Sequence, residues 1–267
     1  MTTITSTVVH QAEIKFREAD VALRPYVGCF WVISAERDAT IRIVPDLSTS
    51  VSTDLVNGQT SGWWMRGPLV RPDERRFSSA VTVVGVRLRP GVAYLLSAMA
   101  AEGMVGRRIK LSTVPSFREL AAERPAPSTP DQCIDLLERF LIRRLKNASV
   151  HHIVAGALHE IERAHGCSNV GDVADRCQVS PRHLNRLMRI WIGFGPKALA
   201  SIVRFQAALK EIEHAPAQSG AALATETGYF DQAHLTTNLS RFAGATPRHL
   251  ASRCVSDFYK TRCDDLP

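Results

Sequence analysis

"CQVSPRHLNRLMRIWIGFGP", residues 177–196, lays two messages over one stretch of chain. Leu184, Leu187, Met188 and Trp191 recur at helical spacing and ask for burial. Arg182, Asn185, Arg186 and Arg189 recur at the same spacing two residues earlier, so they are turned about 200° away on a 3.6-residue helix. Ser180-Pro181 fixes the start, because serine is a favoured N-cap and proline a favoured first helical residue. Burying the four apolar side chains contributes roughly 1.5–3 kcal/mol each before chain entropy is counted. That decides which side faces inward and leaves a basic front outside.

The residues before this helix read as a second, shorter one. In "SNVGDVADRC" (168–177) Asn169 is the N-cap, and Val170, Val173, Ala174 and Cys177 form one apolar face. Helix, tight turn, helix is the helix-turn-helix layout. The rhythm returns in "SGAALATETGYFDQAHLTTNLSRFAG" (219–244). There Ser219 caps a short Ala-rich helix, and Gly228 suits a left-handed stop. Asp231 caps a longer helix with Leu235, Leu239 and Phe242 inside. Between the two units, "PKALASIVRFQAALKEIEH" (196–214) predicts one continuous helix of about 28 Å. Adjacent major grooves on one face of DNA lie about 34 Å apart, so such a rod suits two probes in successive grooves.

Side-chain chemistry supports the same reading. Arginine pairs bidentately with guanine edges and asparagine with adenine edges. The N-terminal part of a recognition helix reaches the bases, so Arg182, Asn185 and Arg186 are the base-reading candidates, with Arg189 on phosphate. The matching outward set of the second unit is Gln232, Ala233, His234, Thr236 and Thr237. It is polar but uncharged, which predicts a smaller electrostatic contribution from this probe.

Upstream of residue 150 the signal changes. The stretches 26–33, 39–46, 48–56 and 80–91 are rich in β-branched and aromatic residues and predict strands, and 92–106 predicts a helix. "RPAPSTPD" (124–131) reads as a connector, and helical stripes follow at 131–147 and 150–166. The expected organisation is an α+β two-domain protein. It has a β-rich sandwich or barrel over 1–123, a helical connector over 124–149, an all-α tandem helix-turn-helix domain over 150–255 and a tail over 256–267.

Composition bounds the rest. The chain has 267 residues, 45% apolar and 22% charged, which excludes a disordered chain. Its net charge of +7 favours a polyanionic partner. No apolar run approaches the roughly 18 residues of a membrane span, so no membrane role is expected. "MTTITSTVVHQAEIKFREAD" (1–20) lacks a basic start followed by an apolar core, which predicts no signal peptide and a cytoplasmic location. The six scattered cysteines then read as buried reduced thiols. His10 is the only histidine before residue 150, so no metal site is expected there. No cofactor loop or catalytic nucleophile motif is present, and no catalytic residue is assigned. For an effector in the front domain the candidates are Trp31, Asp46, Trp63, Arg66 and Arg87, with Asp54, Arg89 and Trp64 beside them. The alternative is that the tryptophans pack the β core and the charges sit at strand ends.

"VGDVADRCQVSPRHLNRLMR", "GFGPKALASIVRFQAAL" and "ATETGYFDQAHLTTNLSRFAGATPRHL" resemble the AraC/XylS-type transcription regulators over about 100 residues. The resemblance implies two helix-turn-helix units on promoter double-stranded DNA and, in most members, activation through RNA polymerase. It places the base-facing sites on the same residues derived above. Thr237 departs from it, since the second probe usually carries an arginine there. "LRPYVGCFWVI", "VPDLSTSVSTDL" and "VVGVRLRPGVAYLL" resemble a cupin-like domain, which implies sensing a small-molecule effector or forming a homodimer. Relatives that repair methylated DNA use four zinc-bound cysteines, where this region offers only Cys29 and Cys133. The expected function is a sequence-specific DNA-binding transcription regulator, an activator by resemblance, and not an enzyme. The alternative is a small-molecule-binding or metal-free enzymatic front domain with DNA binding secondary.

Overall fold

A computed structural model of the chain describes residues 10–215, 218–246 and 250. The expected tail over 256–267, Cys254 and Cys263 lie outside the described residues. The front half is an antiparallel sheet of β1 (His10–Arg17), β2 (Val27–Ile43), β3 (Thr49–Val56), β4 (Gln59–Arg66), β5 (Asp73–Arg76), β6 (Val81–Leu88) and β7 (Arg108–Lys110). Its order is β1-β2-β6-β3-β4-β7, and β5 pairs the far end of β2. Three helices accompany it: α1 (Val92–Ser97), α2 (Arg118–Ala122) and α3 (Pro130–Leu145).

Period-two alternation gives this sheet two different faces. Phe30, Val51, Trp63, Met65, Val84, Val86 and Leu88 point toward the helices and form one core with Ile134, Leu137, Phe140 and Leu141 of α3. Trp31, Ile33, Ile41, Phe77 and Val83 point the other way and form a second core, over which the far end of β2 and β5 fold. Asn57 and Gly58, both at positive φ (51° and 72°), make the tight turn between β3 and β4.

Three sequence expectations change here. The separate strands at 26–33 and 39–46 are one strand, β2, because the exposed Glu36-Arg37-Asp38 segment carries the chain through a bend with Asp38 left-handed at φ 64°. The helix expected over 92–106 ends at Ser97, where Ala98 turns left-handed (φ 54°) and the Ser97 hydroxyl bonds the Ala93 carbonyl at 2.7 Å. The helix expected as part of the helical connector, α3, buries its apolar stripe in the front core.

Behind α3 the chain is helical: α4 (His152–Arg163), α5 (Val170–Arg176), α6 (Pro181–Ile192), α7 (Pro196–His214), α8 (Gly220–Glu226) and α9 (Gln232–Ala243). The spine is α7, whose 19 residues span about 28 Å. Leu199, Ile202, Val203, Phe205 and Leu209 of α7 share one core with Leu184 and Met188 of α6 and with Leu235, Leu239 and Phe242 of α9.

Candidate nucleic-acid interface and regulatory cleft

The first unit is α5, a turn and α6. Gln178 is left-handed (φ 56°), the Val179 N–H donates to the Ala174 carbonyl at 3.0 Å, and the Ser180 hydroxyl caps the His183 N–H at 3.2 Å. Gly193, at φ 103°, ends α6 in a conformation that suits glycine. Leu184 and Met188 are fully buried, while Arg182, Asn185, Arg186 and Arg189 are exposed. The expected division into a greasy back and a basic front is thus present, with two refinements. Asn185 lays its amide over the backbone of Gly195, where a Cβ would meet Oδ1 at 2.2 Å. Arg189 reaches Glu102 of the front half at 3.8 Å, so it stands at the boundary between the halves. Glu160 of α4 holds α5 in place through Arg176, with Arg163 bonded to the same carboxylate at 3.0 Å. These two guanidinium groups, Arg163 first, keep that carboxyl below its usual pKa.

The second unit repeats the design in α8, a turn and α9. Gly228 is left-handed (φ 72°), the Tyr229 N–H donates to the Ala224 carbonyl at 2.9 Å, and Asp231 caps the His234 N–H at 2.7 Å. Leu235 and Leu239 are fully buried. Gln232, Ala233, His234 and Thr237 are exposed, and Thr236 is half-buried. The His234 ring stands edge-on to Tyr229 at 5.2 Å, so part of its role is structural. Burial pushes the Tyr229 phenol up to about 12, and its hydroxyl has no hydrogen-bond partner among the described residues. Cys167, expected buried, is exposed and packs against Gly228, where a Cβ would meet its sulfur at 2.1 Å. Sequence reasoning missed Phe230, which stands 93% exposed immediately before the Asp231 cap.

The effector candidates divide between the two sheet faces. Trp31, Asp46 and Arg66 line one cleft over the second core, together with Ser48, Ser50, Ser52, Arg75, Phe77 and Arg108. Its free volume is about 50 Å³, enough for a few water-sized groups. Arg87 lies on the same face, ion-paired to Asp46, and both side chains are nearly sealed from solvent (12% and 8%). Trp63 is a correction: strand alternation turns it to the helix-packed core, away from the cleft. Arg89 also lies elsewhere, bonded to the Arg24 carbonyl at 2.8 Å. Arg75 and Arg108 were not foreseen. They share Asp54 at 2.7 and 3.3 Å, while Arg66 pairs with Asp73. Burial, then the nearby Arg108 and Arg75, draw the Arg66 guanidinium below its ordinary pKa.

One segment belongs to both halves. In the loop between β2 and β3, Asp46 and Ser48 line the cleft, while Val44 and Leu47 sit in the helical core. Gln206 of α7 donates to the Pro45 carbonyl between them. The docking continues along α6, where Trp191 packs on Tyr94 at 4.5 Å between ring centres and Gly193 lies under Pro68 and Val105. Trp191, expected to be buried, is half-buried and is covered in part from the front half. Among the described residues no helix is long and apolar enough to cross a membrane.

A helix-turn-helix domain profile matches residues 173–253, and a domain of unknown function (DUF6597) matches residues 17–110. No curated protein matches the chain at a significant level. Among solved structures, the chain is similar to an apo form of a ToxT variant from Vibrio cholerae at 10% identity and a TM-score of 0.43, covering 90% of this chain and 100% of that one. A ToxT structure from the same organism bound to (E)-4-(8-methylnaphthalen-1-yl)but-3-enoic acid gives 8% identity, a TM-score of 0.46 and coverage of 90% and 98%. The described turn, cap and helix of each unit fall inside the helix-turn-helix match. The chain carries an AraC-type helix-turn-helix domain behind a separate N-terminal domain, and it is a DNA-binding transcription regulator.

Proposed function

We propose that α6 and α9 enter adjacent major grooves of promoter DNA, and that the cleft of the front domain governs how they are presented. The observation that carries this is the orientation of α6: Leu184 and Met188 are sealed while Arg182, Asn185 and Arg186 face solvent. Arg182 and Arg186 read base edges, and Asn185 does so once its amide swings off Gly195. Arg189 is the phosphate contact and must leave Glu102 to serve. On α9 the reading set is Gln232, Ala233, His234, Thr236 and Thr237, with α7 keeping the two probes apart.

The front domain acts here as a sensor and not as an enzyme. Three guanidinium groups crowd the cleft at Arg66, Arg75 and Arg108, which suits a small ligand with an acidic group. Such a ligand would compete with Asp46 for Arg87 and shift the shared loop against α7. Activation through RNA polymerase and a front-domain homodimer follow from the family resemblance and extend the same reading.

Selection of bound duplexes from a random DNA pool with the full chain tests the core of it. The expected product is a bipartite site whose affinity falls steeply with salt. Recovery of no preferred sequence would sink the proposal.

A further inference from the structure

The second turn is one residue longer than the first. The Ala174 carbonyl and the Ala224 carbonyl anchor the two turns in the same way, through the N–H groups of Val179 and Tyr229. The helix cap then follows at once as Ser180 in the first unit, but only after an added Phe230, as Asp231, in the second. This added residue is, at 93%, the most exposed large apolar side chain among the described residues. The described residues leave it almost uncovered, and a ring left in water forgoes the stabilisation that burial brings. Its place, directly ahead of the first turn of α9, makes it continuous with the face that meets DNA.

The rest of that face is less polar than its sequence suggests. The Thr236 and Thr237 hydroxyls donate back to the Gln232 and Ala233 carbonyls at 2.8 and 2.9 Å, so their protons are already engaged. The Asn238 amide donates to the His234 carbonyl at 3.2 Å. From Phe230 to Ser240 the chain has no lysine or arginine. Beside the exposed Gln232 and His234, what remains outward at the leading end is apolar: Phe230, the Ala233 methyl and the Thr237 side chain. On base-pair edges in the major groove, the apolar feature is the thymine C5-methyl, which alanine, threonine methyl and phenylalanine contact.

We infer that the second unit reads thymine methyl groups, with Phe230 as its principal specificity-determining residue. This rests on the DNA reading above. It explains how an uncharged probe can contribute: the arginines of α6 supply charge and base hydrogen bonds, and the apolar lead of α9 selects thymine in the neighbouring half-site.

The test resynthesises duplexes recovered by selection with deoxyuridine in place of thymidine, in one half-site at a time, and titrates the full chain. The wild-type chain should lose about fourfold in affinity for each contacted methyl removed, in one half-site only. Phe230→Ala should bind the thymidine duplex more weakly than the wild type does and should lose most of the response to methyl removal. Phe230→Leu should keep part of the response. Because Phe230 is almost fully exposed, both variants should melt as the wild type does. A bipartite site whose wild-type affinity ignores deoxyuridine in both halves would overturn the inference while leaving the DNA reading intact. So would a Phe230→Ala protein with unchanged affinity and an unchanged methyl response. A pool that yields no site would remove both.

Discussion

At the scale of single residues, the two sides of α6 should fail in different ways. Arg182→Ala or Arg186→Ala should cost roughly 1–3 kcal/mol of binding and relax preference in one half-site, because bidentate base contacts are lost. The thermal midpoint should not move, since both side chains are exposed. Leu184→Ala should instead cost roughly 2–5 kcal/mol of stability through the cavity it leaves, seen as a lower denaturant midpoint. Tyr229 offers a pH experiment. Its folded pKa of about 12 lies above the ordinary phenol value of 10.0, so the folded state keeps the proton longer than the unfolded chain does. The associated stability is therefore whole below pH 10 and is lost as pH rises toward 12. Tyr229→Phe should remove that alkaline loss in a titration of unfolding free energy. It should leave neutral-pH stability equal or slightly higher, because the buried hydroxyl lacks a partner among the described residues.

At the scale of elements, caps and glycines carry the design. Ser180→Ala removes the hydroxyl that caps His183 and should cost about 1 kcal/mol of stability, measured by thermal unfolding. The rear helices were legible in sequence because each signal is local: Ser180-Pro181, Asp231 and Gly193 lie within a turn of the ends they set. The long linking helix likewise follows from its uninterrupted run between Pro196 and His214. The front sheet was less legible. β1, β4, β5 and β7 gave no distinct signal, since short strands such as β5, "DERR", take their conformation from a partner far along the chain. The same holds for the cleft. Trp31 and Trp63 look alike in sequence, and strand parity, fixed by pairing, sends one to the cleft and the other to the helix-packed core. Arg75 and Arg108 come from a short edge strand and a short terminal one, and nothing local pairs either with Asp54. Phe230 was hidden for a different reason: an exposed aromatic is recognised only when exposure is known.

At the scale of the whole molecule, the halves are joined by the Tyr94–Trp191 contact, the Arg189–Glu102 pair and the loop that lines the cleft with Asp46 while filling the helical core with Val44 and Leu47. If the cleft regulates DNA binding through this loop, Asp46→Asn should alter affinity for the selected duplex severalfold without any residue near DNA having changed. An unaltered affinity would detach the loop from regulation. The shared loop also bears on how the protein comes apart. Val44 and Leu47 are supplied by one half and buried in the other, so cutting the chain between α3 and α4 would leave a greasy notch on the DNA-binding fragment and two stranded aliphatic residues on its former neighbour. The two pieces are therefore expected to behave as a cooperative unit. Heating the intact chain should give a single calorimetric transition, and the severed DNA-binding piece should melt earlier and clump more readily than its fully internal helical core would suggest.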